Sequence, residues 1–403
     1  MIIRFLRWAV TIVGVITIAL FLYFNIYLYD FHQGASGNAD LLSQLRFLKR
    51  ILHHEQAAEK SQKHYPEGFI FIHSLYALAW CDAVMDLPIN DPKRQEAMGE
   101  VAYSLQQMDS PSGQAVFNPL LPIKYGAFYR GWTAYVRGRY LQIGGRDSLI
   151  AQQFERDCIA ITIAITETNQ AYLESYDGLS WPADNVVCLA ALSLYDRIED
   201  PQFEAVRKEW LDRIKRTLLV DCLLIPHGYD LALNRPLEGA RGSSQALILA
   251  FLPEIDLEFS QNQYQQFRKL FLDYKMGLPG IREFPRGVIG QGDIDSGPVV
   301  MGIGGVASIV SIRAARLHAD WALAEGLRNG TSAILFPQKN RDEKYYLFGQ
   351  LPILDAFNAW AISDNSSIMQ TESGHWRWKF QMISIVVIIF LLWAIWKMGA
   401  VKH

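Results

Sequence analysis

Apolar positions along this chain follow three patterns. The first is an unbroken run at each end. Trp8 to Tyr29 contains no charged residue, and Phe380 to Trp396 is equally free of charge. A helix advances about 1.5 Å per residue, so about 20 apolar residues cross a hydrocarbon core of about 30 Å. The runs predict a transmembrane helix within residues 1–30 and another over 380–397, with 364–379 as a linker. Trp376, Trp378, Trp393 and Trp396 supply interfacial anchors for the second. A cleaved signal peptide fits the first run less well: the run is long for one, and the nearest small residues, Ala35-Ser36-Gly37, lie well beyond it.

The second and third patterns alternate between the ends. Six segments share one form, a loop rich in Gly, Pro, Tyr and Asp followed by a stretch that is apolar nearly all round. They begin near Pro66, Gly126, Ala183, Ala240, Pro298 and Gln350. Their starts recur about every 57 residues, with a shorter last interval, and a fixed period of this size marks a repeat architecture. Between them lie amphipathic helices with charged outer faces, introduced by Asp91-Pro92, Asp200-Pro201 and Ser260 as candidate helix starts. A helix that is apolar all round must be buried. Six buried helices, each followed by a half-solvated one, predict an all-α, double-walled (α/α)6 toroid over residues 40–363, without strands. An open solenoid fits less well, because polar residues concentrate before one helix of each pair.

Charge changes the picture little. The net charge is −3 and no basic run occurs, which argues against nucleic acid as a partner. Arg4 and Arg7 before the first run and Lys397 and Lys402 after the second place both termini in the cytoplasm. Arg377 and Lys379 pull the other way for the second span. The expected location is a bacterial inner membrane with the toroid periplasmic or extracellular. Four cysteines, Cys81, Cys158, Cys188 and Cys222, lie in apolar stretches without metal-ligand spacing. Buried thiols are the simplest reading, with one disulfide open outside the cytoplasm. No metal site and no cofactor are indicated.

In such a ring the loops before the inner helices gather at one mouth, where the helix N-termini favour negative charge. The richest loop runs from Gly290 to Pro298 and carries Asp293 and Asp295. Helix capping by Asp295 or Ser296, with Pro298 in the first turn, accounts for one acid but not both. The glycines at 302, 304 and 305 are expected to permit close helix packing. Asp184 sits in the first turn of the third inner helix, beside Trp181 and Tyr176, which suit a sugar face. Further candidates at the mouth are Glu67 and His73, then Tyr125, Tyr129 and Arg130. Arg241, Ser243 and Ser244 precede the fourth inner helix, Glu283 and Arg286 lie before the fifth, and Tyr346 and Gln350 introduce the sixth. The nucleophile motif G-x-S-x-G, the zinc motif H-E-x-x-H and the phosphate-binding P-loop are absent.

The period and the loop placement resemble the six-hairpin toroids of glycoside hydrolases and polysaccharide lyases, over nearly the whole central domain. Residues Ser175 to Asn185 resemble, more faintly, a stretch of linalool dehydratase/isomerase. That enzyme uses two cysteines where this chain has Ser175 and Asp184, so cysteine chemistry is not implied. The resemblance implies an enzyme acting on an envelope or extracellular glycan, and the two apolar end runs tether it to the membrane. Glycosidic cleavage needs a protonated carboxyl for the leaving oxygen and a second carboxylate for water or sugar. Asp184 as acid and Asp295, or Asp293, as base are the expected pair. Glu67, Tyr125, Tyr129, Arg130, Tyr176, Trp181, Arg241 and Glu283 are the expected substrate contacts. Two alternatives stay open. One is a lyase or isomerase using Tyr125, Tyr129 or His73 with Arg130 or Arg241. The other is a non-catalytic glycan-binding or assembly subunit with a protein partner in an envelope complex.

Overall fold

The computed structural model describes residues 2–28, 37–294, 296–364 and 376–400. Asp295 and most of the predicted linker lie outside the described residues. In chain order the first helices are α1 (Ile2–Tyr27), α2 (Gly37–His54), α3 (Ala57–His64), α4 (Gly68–Val84), α5 (Pro92–Met108), α6 (Pro111–Gln114), α7 (Gly126–Gln142) and α8 (Ser148–Glu167). They continue as α9 (Pro182–Ile198), α10 (Glu204–Lys215), α11 (Gly242–Phe251), α12 (Leu257–Phe271), α13 (Gly305–Leu317), α14 (Trp321–Ile334), α15 (Pro352–Ser363) and α16 (Trp376–Ala400).

Helices α4, α7, α9, α11, α13 and α15 pack side by side in that order, and α15 returns to α4, so the inner wall is a closed ring. All residues of α4 are buried, as its all-round apolar sequence requires. The outer wall reads differently. In α12 the buried positions Phe259, Ser260, Gln263, Tyr264, Phe267 and Phe271 recur at helical spacing, and the charged face is left to water. The outer helices α5, α8, α10, α12 and α14 each follow an inner one, but the sixth inner helix is covered by α2 from the other end of the chain. Phe47 stacks on Tyr345 at 4.9 Å and Asn358 donates to Gln44 at 3.1 Å across this closure.

Several local expectations are corrected. Asp91 and Pro92 do start a helix, the Asp91 carboxylate accepting from Lys93 N at 2.8 Å. The helix expected at Asp200-Pro201 begins at Glu204, because Asp196 takes up the amides of Gln202 and Phe203. The helix expected at Ser260 begins at Leu257, capped by Asp256, while Ser260 is buried and hydrogen-bonded to His318 at 2.8 Å. Short strands are present where none was expected. They are β1 (Leu179–Ser180), β2 (Gly228–Asp230), β3 (Arg235–Glu238), β4 (Leu272–Lys275), β5 (Leu278–Ile281), β6 (Val299–Val300), β7 (Ile303–Gly304), β8 (Gln338–Lys339) and β9 (Lys344–Tyr345). They form the antiparallel sheet β1-β2-β3 and the hairpins β4-β5, β6-β7 and β8-β9, all within the loops before inner helices. Pro298 therefore starts no helix: a hairpin separates it from α13, and Gly302 makes the turn at φ +83.

The ring axis is filled rather than open. Phe71, Trp132, Phe251 and Trp360 meet at centroid distances of 5.3 to 6.3 Å. Below this aromatic plug, at the base formed by the inner helices' C-terminal ends, Asp82 accepts from Arg139 and Arg313, each at 2.7 Å. Above it, toward the mouth, a cavity remains.

The end helices stand apart. Arg7–Tyr27 and Arg377–Met398 are long and apolar enough to cross a membrane, and only 6% and 11% of their apolar windows are buried, which a core helix would not show. They run antiparallel, with Gly14 against Ile395 and Phe21 stacked on Phe380 at 5.9 Å.

Candidate functional site

The cavity at the mouth measures about 420 Å³. Its wall is largely apolar and aromatic, and its polar members are Tyr65, Glu67, Tyr176, Trp181, Asp184, His227, Ser243 and Ser244.

The Asp184 side of the wall is built by one loop. Pro182 opens α9 and puts Asp184 in its first turn, where the helix dipole favours a carboxylate. The preceding loop is tied down by Asn185, whose Oδ1 accepts from Leu173 N at 2.6 Å and whose Nδ2 donates to Ser180 Oγ at 3.0 Å. Ser175 then donates to Asp184 Oδ2 at 2.7 Å. Gly126 at the start of α7 makes this possible. It holds φ +82, and a Cβ there would lie 2.2 Å from the Ser175 carbonyl oxygen. Tyr176 and Trp181 meet edge to face at 5.4 Å, and the Tyr176 hydroxyl is buried without a hydrogen-bond partner among the described residues. Cys188 lies behind this wall, its thiol pushed well up by burial and by the Asp184 charge. Among the described residues all four cysteines are free.

The opposite chain segment supplies a second polar group. His227 Nδ1 is hydrogen-bonded to Ser244 Oγ, and Arg241 approaches its Nε2 at 3.4 Å. Burial and the Arg241 charge lower the imidazole to about 4, so it is neutral at neutral pH. Arg241 is held in turn by two acids. Its Nε donates to Glu283 at 2.9 Å, and its terminal nitrogens donate to both oxygens of Asp293 at 2.5 and 2.9 Å. Glu283 is fully buried and also accepts from Ser243 Oγ at 2.7 Å. Burial raises the Glu283 carboxyl despite these donors. For Asp293 burial works the same way but is outweighed by Arg241 and Ser296, which hold it well below the ordinary carboxylate range.

The sequence candidates thus fall into two groups. Glu67, Tyr176, Trp181, Asp184, Ser243 and Ser244 line the cavity. Arg241, Glu283 and Asp293 support its wall from behind through His227 and Ser243. Tyr125, Tyr129 and Arg130 are not among the lining residues. Arg130 faces the outer wall and pairs with Asp157, and Tyr129 bonds to Gln114 and Met108. Tyr125 bonds to Gln114 as well. His73 is packed against Phe69 and Tyr103, and burial lowers it to about 3. Arg286 donates to the Leu272 carbonyl and anchors β4, while Tyr346 N donates to Asp355 at 2.9 Å. His227 and Tyr65 belong to the cavity but were not singled out from sequence. Both lie in loops that precede inner helices, so the rule that selected the other residues covered them too.

No protein-family model and no curated protein matches the chain. Among solved structures, the chain is similar to a GH76 alpha-mannanase of Bacteroides thetaiotaomicron at a TM-score of 0.48 and 9% identity, covering 74% of this chain and 85% of that one. It is also similar to a D-mannose isomerase at a TM-score of 0.49 and 12% identity, covering 83% of this chain and 99% of that one.

Proposed function

We propose that the chain is a membrane-anchored carbohydrate-active enzyme of the glycoside hydrolase type, with Asp184 and Glu67 as its carboxylate pair. The observation that carries this reading is that both acids, from different inner helices, line one cavity together with the aromatic rings of Tyr65, Tyr176 and Trp181. One carboxyl protonates the leaving oxygen and the other serves water or the sugar. The Tyr176 hydroxyl, without a partner among the described residues, supplies a hydrogen bond to a sugar hydroxyl. Asp295 is the alternative second acid, since Ile294 and Gly297 of its loop line the same cavity. Asp293 is assigned a supporting role as the counter-ion of Arg241. Helices α1 and α16 are the anchors, with both termini cytoplasmic and the toroid outside, acting on an envelope glycan.

The test is hydrolysis of an oligosaccharide panel by single variants. Asp184→Asn and Glu67→Gln should each lower turnover by about 10²–10⁴-fold, the usual worth of a general acid or base, with the thermal midpoint kept. If Asp295→Asn is the silent partner of Asp184→Asn, Glu67 is the second acid; if Glu67→Gln is silent instead, Asp295 is. Full activity in Asp184→Asn ends the assignment.

A second reading rests on His227. A neutral imidazole in the same cavity wall, oriented by Ser244, is equipped to take a proton from a sugar carbon, as a lyase or isomerase requires. An unsaturated or rearranged product in place of a hydrolysed one, lost in His227→Gln, selects this reading.

A further inference from the structure

The outer helices run toward the mouth, so the direction of any one of them relative to the membrane helices shows which way the mouth faces. Helix α14 makes that contact. Near its C-terminal end, Ala333 accepts from the Tyr23 hydroxyl at 3.3 Å, and Phe336 just beyond it stacks on the Tyr23 ring at 5.1 Å. Tyr23 lies inside the first apolar span. Two turns back on α14, Glu325 reaches Arg377, at the outer end of the second span. With α1 and α16 read as membrane spans, α14 runs toward the bilayer, and the mouth lies at that end. The β4-β5 hairpin of the mouth agrees: Gly277 sits against Lys379 and Phe380, and Leu278 packs against the cluster of Leu28, Ala333 and Phe380.

The distribution of exposed apolar side chains is the second observation. Leu120, Val220, Ile289, Met301 and Phe348, all on mouth loops, are 88%, 95%, 98%, 71% and 71% exposed. Among the described residues of the toroid, all exposed large apolar side chains except Ile89, Leu149, Ile159, Ile163 and Leu257 lie in the segments that precede inner helices or at the last residue of α14. Apolar side chains this exposed, gathered in the loops at one end of the ring, mark a surface for an apolar partner or a membrane. Two exposed residues of the patch, Ile294 and Leu351, also line the cavity, so the apolar surface continues inward.

We infer that the mouth face of the toroid rests in the lipid leaflet from which α1 and α16 emerge, and that the cavity takes a lipid-borne amphiphile with its polar headgroup at Asp184. The inference rests on reading α1 and α16 as membrane spans, and it deepens the proposed activity by naming a glycolipid or lipid-linked saccharide as the substrate class. A substrate held in that leaflet enters past Ile294 and Leu351 without crossing water, and its apolar portion is matched by the cavity wall.

The experiment uses the full chain in vesicles of phosphatidylethanolamine and phosphatidylglycerol. In a Cys222→Ser background, a fluorescent label is placed at Ile289→Cys or Phe348→Cys on the mouth, and at Leu149→Cys on the base. Phosphatidylcholine spin-labelled on its acyl chain is the quencher. The mouth labels should lose most of their emission and the base label none. Equal quenching at both faces, or none at the mouth, overturns the inference, the latter outcome leaving the patch to water or a protein. A phospholipid with a photoreactive acyl chain, in the same vesicles, should cross-link to peptides containing Ile294 or Leu351; adducts confined to α1 and α16 overturn the entry route. Neither readout depends on turnover. Asp184→Asn should quench like its parent, so failure of the catalytic assignment and failure of the docking are separable.

Discussion

At the base of the ring, charge is closed on itself. Asp82 accepts from Arg139, Arg313 and Ser363, and Arg313 lies over the Trp360 ring at 4.9 Å. Burial alone would raise the Asp82 carboxyl, but Arg313 and Arg139 hold it at about 2. At the mouth, the carboxylates of Asp184 and Glu67 line an open cavity, and the ion cluster of Arg241, Glu283 and Asp293 stands behind His227 rather than in the opening. The same kinds of residue do two jobs. Where inner helices end, the partial negative charge of their C-termini suits arginines, and the acid between the arginines completes a structural lattice. Where inner helices begin, the positive end suits carboxylates that face the cavity.

The comparison can be broken by substitution. Asp82→Asn leaves two buried guanidiniums short of their counter-charge and should cost about 3–5 kcal/mol of stability, read as a fall in the thermal midpoint of the full chain in detergent. Asp184→Asn should leave that midpoint nearly unchanged. If both variants unfold alike, the mouth acid is structural too.

A pH titration sharpens the contrast. Asp355, in the first turn of α15, is fully buried with one oxygen unpaired, and burial raises it to about 8 against the amide of Tyr346. Its folded pKa lies above the unfolded value, so its contribution is complete below about pH 4 and is lost as pH rises through about 8. Asp82 has the opposite sign: its contribution is present above about pH 4 and is lost as pH falls through about 2. Asp355→Asn should therefore raise stability at pH 7 and flatten the profile from pH 4 to 8. The acid limb below pH 4 should become shallower in Asp82→Asn and stay unchanged in Asp355→Asn. The smallest effect is expected at Ser175→Ala. It removes one donor to the Asp184 carboxylate, worth about 1 kcal/mol, and should lower turnover several-fold while the fold persists.

The inner wall was legible because a helix apolar on every side has only one place to go, and its six recurrences carried the ring. The strands of the mouth were not legible. Two to four residues give no alternation to read, and one pairing, Leu179 with Asp230, joins segments distant in sequence. Asp184 could be found because Pro182 fixes where its helix begins. Arg130 could not be placed, since a first-turn position fixes height along the ring but not azimuth; only the structure turns it outward to Asp157. The role of α2 was hidden for a similar reason: its amphipathic pattern says that it covers something, not that it covers α15.

That last arrangement sets a timetable. Gln44 and its partner Asn358 are 314 residues apart. At the roughly 5–20 residues per second of bacterial or eukaryotic synthesis, the sixth gap in the wall stands open for about 15–60 s after α2 is made. For that interval an apolar face of α2 and the flank of α4 wait for a helix that has not yet left the ribosome. Closure of the wall is thus among the last events of biogenesis, and a chain halted before α15 exposes the same seam that the finished molecule conceals.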